Sequence, residues 1–233
     1  MTSRLWIKIC GIRDVETALL ASRSGADAIG LNFYAPSPRS LSVKTAAEIV
    51  KNLPASTTAV GLFVNHTVDE IETILNATRI GIVQLHGDET PEFLAQLTRL
   101  DPRPELIWAR RVAVEDIPSL GSPFDRCREL GVTLKACLLD ARVEGAFGGT
   151  GRVLPWDEIA GVYDRAHWPP LILAGGLTPE NVRQAIESVQ PWGIDTASGV
   201  ESAPGVKDPP LLERFLKAAR QAGHHNPSSG PSP

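Results

Sequence analysis

The stretch WIKICGIRDVETALLASRSGADAIGLNFY, residues 6–34, decides the fold because it holds one complete strand–helix–strand unit. Its two ends, Trp6–Cys10 and Ala28–Tyr34, are short runs of mostly apolar residues, as expected of strands buried on both faces. Between them, Asp14 is suited to cap a helix whose small and apolar residues recur at helical spacing. The segment therefore predicts a strand, a helix and a second strand parallel to the first.

The strand–helix unit recurs along the rest of the chain. Apolar runs of strand length follow at intervals long enough to hold a helix. Thr67 opens a TVDE capping box, and Thr90 and Thr178 each stand before a proline suited to the first turn of a helix. Prolines and a glycine break the interval 115–130, so a helix is expected there only from about Phe124. The further runs are Ala59–Val64, Ile82–His86, Leu106–Val112, Ala136–Asp140, Leu171–Gly175 and Gly193–Ala197.

The eight strand–helix units predict a parallel sheet with helices outside it. An open doubly wound sheet and a closed barrel both accommodate them, and the number eight favours a single (β/α)8 TIM barrel. The length of 233 residues fits one such barrel, which needs roughly 200–250 residues. We therefore predict one barrel domain over residues 1–222. The tail over 223–233, GHHNPSSGPSP, is predicted to be disordered.

Composition excludes several classes of function. A formal net charge of −4 and a pI of about 5.8 give no basic footprint for a nucleic acid. The three cysteines, Cys10, Cys127 and Cys137, form neither a CxxC pair nor an even set, so neither a thiolate metal site nor a disulfide framework is expected. No apolar run approaches the ~18 residues of a membrane helix. Residues 1–10 are too short and too polar for a signal peptide. We expect a cytoplasmic protein with no membrane partner.

Polar residues at the carboxyl ends of the strands are the candidate chemical groups, because barrel enzymes work at that end. Cys10 ends strand 1 on the same face as Lys8, which should point into the barrel toward a partner such as Asp195. Cys10 alone is also compatible with plain packing. His86 ends strand 4 and can bind a ligand, transfer a proton or only orient a neighbour. Asp140 ends strand 6, where partial desolvation should raise its pKa, as a general acid requires.

Two kinds of ligand anchor accompany these groups. Arg39 lies on a loop stiffened by two prolines, so its guanidinium is either a bidentate carboxylate binder or a solvated surface group. Glycine-rich turns follow strands 6, 7 and 8, and barrels often bind phosphate between the last two. We predict a phosphorylated small-molecule substrate, held mainly by backbone N–H groups of these turns. The residues concerned are Gly149, Thr150, Gly151, Gly175, Gly176, Ser198 and Gly199.

These residues lie within motifs that together resemble the phosphoribosylanthranilate isomerase family. The motifs occur in the family's order over about residues 6–216. KICG (8–11) together with SPR (37–39) and QLHGDE (84–89) is the most specific combination, whereas the glycine motifs are shared with other phosphate-binding barrels. The remaining motifs are LLD (138–140), GGTG (148–151), LAGGLTPENV (173–182), SGVE (198–201) and PGVKD (204–208).

The resemblance implies an Amadori rearrangement of N-(5-phosphoribosyl)anthranilate to 1-(2-carboxyphenylamino)-1-deoxyribulose 5-phosphate, a step of tryptophan biosynthesis. By motif match, Cys10 is the general base, Asp140 is the general acid and Arg39 binds the substrate carboxylate, with no metal and no organic cofactor. His86 and Asp195 are further candidates for substrate contact. Ala197 stands where the family usually has the first of two serines, which puts one hydroxyl contact near the phosphate in doubt. We expect a monomer or a homodimer.

Three alternatives remain at this point. An indole-glycerol-phosphate synthase would have catalytic lysines near the mouth. The histidine-pathway isomerase would end strand 1 with an aspartate, where this chain has Cys10. A non-catalytic phosphate-binding barrel would lack the acid or the base.

Burial should raise the pKa of Cys10 as well as that of Asp140, so a thiolate base needs a positive charge nearby, from Lys8 or from an iminium formed on the substrate.

Overall fold

Eight parallel strands close into a barrel in chain order, with the first strand paired to both the second and the last. The computed structural model describes residues 4–111, 113–140 and 156–223. The TIM barrel prediction is confirmed, and each strand agrees with its apolar run to within two residues. The strands are β1 (Trp6–Cys10), β2 (Ala28–Asn32), β3 (Thr58–Phe63), β4 (Ile82–Leu85), β5 (Glu105–Arg110), β6 (Leu134–Asp140), β7 (Leu171–Ala174) and β8 (Gly193–Thr196).

Helices follow the strands and cover the barrel. The Asp14 carboxylate accepts the Thr17 N–H, and Thr67 and Glu70 form the reciprocal capping box. Thr90 accepts from the third residue of a helix that starts at proline. These three predicted caps are confirmed. The helices are α1 (Val15–Arg23), α2 (Val43–Asn52), α3 (Val68–Thr78), α4 (Pro91–Leu97), α5 (Gly121–Glu129), α6 (Trp156–Val162), α7 (Val182–Val189) and α8 (Pro209–Gly223).

The α5 helix begins earlier than expected. It starts at Gly121 rather than near Phe124, and a 3-10 helix over Val114–Leu120 leads into it. Pro123 lies in the first turn of α5, where the missing N–H has no intrahelical acceptor to lose. Pro118 lies within the 3-10 helix. The prolines therefore bend this segment without keeping it from being helical.

The α7 helix begins later than Thr178-Pro179 predicts. Its first residue is Val182, because the preceding residues form a turn held by Asn181. The Asn181 side chain accepts the Thr178 N–H at 2.8 Å and donates to the Gly176 carbonyl at 2.9 Å. Such side-chain bonds to nearby backbone favour a turn over a helix.

The core has two layers. The larger lies between the strands and the helices, and it includes Cys137 of β6. A smaller cluster fills the barrel interior. Trp6 and Trp192 pack against it, with their rings stacked at a centroid distance of 5.3 Å. The interior cluster consists of Ala28, Val60, Ile82, Ile107, Ala109, Ala136, Leu138, Ile172 and Ala174.

A short hairpin follows the last strand of the barrel. Its strands, β9 (Glu201–Ala203) and β10 (Val206–Lys207), are antiparallel. Gly205 turns between them with a positive φ of 79°, and a Cβ there would come within 2.5 Å of the Pro38 carbonyl oxygen. The hairpin thus sits against the loop that carries Arg39.

Among the helices of the described ranges, none has the length and apolar character needed to span a membrane. The predicted tail begins at Gly223, which is the last residue of α8, and the rest of that tail (224–233) and the GGTG loop lie outside the described residues.

Candidate active site

A cavity of about 500 Å³ opens at the carboxyl ends of the strands. It gathers the predicted acid, base and histidine onto one mouth, as expected. Sequence reasoning missed Gln84, which shares a strand face with His86, and Arg111, which directly follows β5. Gly149, Thr150 and Gly151 lie outside the described residues. The predicted residues that line the cavity are Cys10, Arg39, His86, Asp140, Gly175, Gly176, Asp195 and Ser198.

Cys10 is packed tightly against the neighbouring strand. Its register partner on β2 is Gly30, and a Cβ at Gly30 would lie 2.7 Å from the thiol sulfur. Only glycine therefore leaves room for the sulfur. Burial raises the pKa of the Cys10 thiol, and the Lys8 ammonium beneath it offsets only part of that rise.

Lys8 is not free to serve Cys10 alone. Its ammonium, fully buried in the barrel, donates to the Asp195 carboxylate at 2.8 Å. Burial disfavours the ammonium, but Asp195 outweighs that penalty and the pKa of Lys8 is raised above its ordinary value. The predicted partnership with Asp195 is present, and Lys8 keeps its charge while Asp195 neutralises much of it.

Asp140 stands between two nitrogen groups. Arg111 Nε lies 3.1 Å from Oδ2, and His86 Nε2 lies 3.8 Å from the same oxygen. Burial alone would raise the pKa of Asp140, but the imidazole and the guanidinium hold it below its ordinary value of 3.8. The expectation of a raised pKa is therefore wrong for the free enzyme. It considered burial and left out His86, which was predicted at the same mouth, and Arg111, whose proximity no spacing in the sequence reveals.

His86 and Gln84 form a second polar layer below Asp140. Gln84 Nε2 and His86 Nδ1 are 3.4 Å apart. Among the described residues, His86 Nε2 and Gln84 Oε1 are buried without a hydrogen-bond partner. Buried polar atoms are usually paired, so these two atoms in the cavity wall can bond to a polar ligand or to water.

Arg39 is anchored rather than solvated. Its Nε and Nη2 donate to the two carboxylate oxygens of Glu201 at 2.8 and 2.6 Å. Its aliphatic carbons pass over Gly11, where a Cβ would lie 2.7 Å from the Arg39 Cδ. Sequence reasoning quoted SGVE as a motif but gave Glu201 no part in the site.

The turns after β7 and β8 form one end of the cavity. Gly175 and Gly176 have consecutive positive φ values of 91° and 64°, which glycine adopts readily. Ser198 lines the cavity beside them. Gly199 is absent from the lining, and a Cβ there would collide with the Leu177 carbonyl. Its small size lets the two turns meet.

Within the described ranges, no group of three or more His, Cys, Asp or Glu is arranged to hold a metal ion.

The sequence of this chain resembles those of one family of known proteins. The sequence model of the N-(5'phosphoribosyl)anthranilate (PRA) isomerase family matches residues 7–218. The N-(5'-phosphoribosyl)anthranilate isomerase of Geotalea uraniireducens (strain Rf4) is 47% identical over 214 residues, which cover 92% of this chain and 98% of the relative.

Solved structures agree. The crystal structure of phosphoribosyl anthranilate isomerase from Thermotoga maritima has a TM-score of 0.81 and 35% identity, and the match covers 93% of this chain and 99% of that one. Another phosphoribosyl anthranilate isomerase, crystallised with reduced 1-(o-carboxyphenylamino)-1-deoxyribulose 5-phosphate, has a TM-score of 0.78 and 33% identity over the same shares of the two chains.

Proposed function

The chain belongs to the N-(5'-phosphoribosyl)anthranilate isomerase family, and we propose that it catalyses the Amadori rearrangement of this substrate with Cys10 as general base and Asp140 as general acid. The observation that carries the proposal is that Cys10 and Asp140, at the ends of β1 and β6, line the same cavity. The two groups are needed at different ribose atoms, so a pair across one mouth suits the reaction.

Asp140 acts first in the proposed sequence. It gives its proton to the ribose ring oxygen, the bond from C1 to that oxygen breaks, and the anthranilate nitrogen lone pair forms the iminium. The open chain then carries a hydroxyl at C4 and an acidic proton at C2. Before each turnover Asp140 must regain a proton and Cys10 must lose one, so the catalyst is restored by net transfer of one proton from the Cys10 thiol to the Asp140 carboxylate, directly or through solvent.

Cys10 acts second. Its thiolate removes the C2 proton. The electron pair of the C2–H bond forms a double bond between C1 and C2, and the electron pair of the C=N double bond moves onto nitrogen, which gives a neutral enolamine. Loss of the C2 hydroxyl proton and addition of a proton at C1 give the ketone, so no atom is gained or lost overall. The iminium is itself a positive charge that favours the thiolate at the moment when the base is needed.

The lowered Asp140 pKa is compatible with an acid role once substrate is bound. The substrate brings a carboxylate and a phosphate into the cavity, and nearby negative charges favour the protonated carboxyl. Arg111 is half exposed, so a substrate anion can draw its guanidinium away from Asp140. Both effects move the pKa of Asp140 upward in the complex.

Two anchors hold the ends of the substrate. Arg39 binds the anthranilate carboxylate through guanidinium donors not used by Glu201. Backbone N–H groups of the turns at Gly175–Gly176 and Ser198–Gly199, with the Gly149–Gly151 loop, bind the phosphate. His86 and Asp195 contact the ribose, which lies between the two anchors. Fixing both ends lowers the entropy cost of aligning the acid and the base.

Turnover of freshly made phosphoribosylanthranilate tests the proposal. The wild-type protein should form the ketone product, and Cys10→Ala should not. Cys127→Ala is the matched control, because Cys127 is a buried thiol on α5 outside the cavity. Absence of turnover by the wild type, or equal turnover by both variants, contradicts the proposal. The cytoplasmic location and the monomeric or homodimeric state stay predictions.

A further inference from the structure

Two buried charges behind Arg39 take no part in the proposed chemistry. Glu201 and Lys207 lie on the two strands of the hairpin, and their side chains are 4% and 3% exposed. They come from the SGVE and PGVKD motifs, which the proposed reaction leaves without a role. Burying charged groups is costly unless they are closely paired, so their presence calls for a reason.

The contacts of these residues converge on Arg39. Glu201 Oε1 accepts from Arg39 Nε and from Lys207 Nζ, each at 2.8 Å, and Oε2 accepts from Arg39 Nη2 at 2.6 Å. Lys207 Nζ also donates to the Ala197 carbonyl at 2.8 Å. One carboxylate thus grips the side of the guanidinium, and the lysine ties that carboxylate to the turn after β8.

The two hydrogen bonds to Glu201 determine which N–H donors of Arg39 remain for a ligand. A guanidinium has five N–H donors, one on Nε and two on each Nη. Glu201 takes the Nε donor and one Nη2 donor, and Arg39 Nη1 has no hydrogen-bond partner within the described ranges. The pair of donors at the Nη1–Nη2 end is still available, and this end can hold a second carboxylate bidentately.

Lys207 also sets the charge of the group. Arg39 and Glu201 alone would form a neutral pair with little attraction for an incoming anion. Burial lowers the pKa of Lys207 and Glu201 offsets part of that fall, and with Lys207 protonated the three side chains carry one net positive charge. Burial would raise the pKa of Glu201, but Arg39 and Lys207 hold it below its ordinary value, so Glu201 is ionised at neutral pH.

Packing fixes the group in place. Gly11 leaves space for the Arg39 stem, and Gly205 leaves space for the Pro38 carbonyl of the same loop. The hairpin is therefore seated directly on the loop that carries Arg39. A side chain at Gly205 would push the hairpin from this loop, and one at Gly11 would displace the Arg39 stem.

We propose that Glu201 and Lys207 are positioning residues that present the Nη1–Nη2 end of Arg39 to the substrate carboxylate and leave it one uncompensated positive charge. This inference rests on the proposed role of Arg39 in the rearrangement. Neither residue is expected to touch the substrate.

A double-mutant cycle with two substrates tests the inference. The variants are Lys207→Met, Arg39→Ala and the pair, with Lys51→Met as the control because Lys51 is exposed at the far end of α2. Each is assayed with phosphoribosylanthranilate and with the same glycosylamine made from aniline, which lacks the carboxylate. Lys207→Met should raise KM for the anthranilate substrate about tenfold, the order expected for loss of one nearby charge. Any effect on kcat should be the same for both substrates, because Lys207 also lowers the pKa of the Cys10 thiol whichever substrate is bound.

The outcomes separate the possible failures. KM for the aniline substrate should not rise in Lys207→Met, and Lys207→Met should add nothing in the Arg39→Ala background, because residues acting through one another are not additive. An equal rise for both substrates, or a rise that persists without Arg39, overturns the positioning role. If Arg39→Ala alone affects both substrates equally, the proposed carboxylate anchor fails, whatever Lys207 does.

A second variant guards against a folding defect. Glu201→Gln keeps the shape of the side chain and one oxygen acceptor but removes the charge that grips the guanidinium. This substitution also adds one net positive charge to the group, which alone would lower KM. Because the guanidinium is no longer held in place, KM for the carboxylate substrate should nevertheless rise selectively, and competitive inhibition by inorganic phosphate should stay unchanged. Weaker inhibition by phosphate would mean that the residues act on the phosphate turn instead, which contradicts the inference.

Discussion

Asp140 ends its strand between an imidazole and a guanidinium, and these neighbours decide its charge in the free enzyme. Replacing Arg111 by Met removes the closer of them, 3.1 Å away. The pKa of Asp140 should then rise, because loss of a positive charge favours the neutral carboxyl. The measurement is a pH titration of the Asp140 carboxyl carbon by NMR. An unchanged or lower pKa would show that Arg111 does not hold the acid ionised.

Cys10 is predicted to be a poor thiolate before substrate arrives. Burial raises its pKa above the ordinary value of 9.0. Alkylation of Cys10 by iodoacetamide should therefore still accelerate above pH 9, since only the thiolate reacts. Mass spectrometry of the peptides separates Cys10 from Cys137, whose pKa is raised to about 12. A rate that levels off near pH 7 would contradict a thiol that is protonated at rest.

Residue types at strand ends were predictable from the sequence, whereas their partners were not. Strand parity put Lys8 and Cys10 on one face and suggested Asp195 as the partner of Lys8. The positions of Arg111 and Glu201 depend on how the loops fold over the mouth. The hydrophobic periodicity and the spacing of motifs in the sequence carry no information about that. The predicted direction of the Asp140 pKa was wrong because the prediction considered burial and left out the His86 imidazole and the Arg111 guanidinium.

At the scale of single elements, capping accounts for where α3 starts. Thr67→Ala removes the side chain that accepts the Glu70 N–H, and such losses cost about 1 kcal/mol. The free energy of unfolding, measured in urea, should fall by about that amount. Thr73→Ala is the matched control, because Thr73 is an exposed residue within the same helix. Equal losses in both variants would mean that the capping box contributes nothing.

The sequence predicts where a helix begins when the capping side chain accepts N–H groups of the helix that follows it. The prediction fails when that side chain bonds to other backbone groups. Thr67 and Thr90 accept N–H groups of their own helices. At α7, Asn181 instead bonds back to Thr178 and Gly176 and delays the helix. At α5, a proline in the first turn reads as a breaker in the sequence but is tolerated in the structure.

For the molecule as a whole, the Lys8–Asp195 ion pair lies at the seam where the barrel closes. The two residues are register partners on β1 and β8, the first and last strands. Lys8→Met would leave Asp195 buried without its partner, which typically costs about 3–5 kcal/mol.

That loss should depend on pH. Burial raises the pKa of Asp195, and without Lys8 nothing nearby of equal strength opposes it. A folded-state pKa above the unfolded value gives stability at low pH that is lost as pH rises through the folded pKa. The deficit of Lys8→Met relative to wild type should therefore be larger at pH 8 than at pH 4.5 in urea unfolding. A deficit independent of pH would show that the lost lysine packing dominates.

The barrel itself was predictable because every strand is buried on both faces and every interval is long enough for a helix. Eight such units leave few alternatives, and closure follows from the pairing of β1 with β8. The hairpin after β8 was not predicted. Its strands have three and two residues, too short for an alternation pattern to emerge.

The division of labour between Cys10 and Asp140 is the central claim, and turnover in D2O measured with deuterium exchange at ribose C2 tests it most directly. Cys10→Ser and Asp140→Asn should each lose on the order of 10²–10⁴ in kcat with little change in KM, because both substrate anchors remain. Exchange at C2 should fall with kcat in both variants, since the C2 proton becomes acidic only after ring opening. Near-normal turnover and exchange in Cys10→Ser, with a loss in His86→Asn, would contradict the account and make His86 the base.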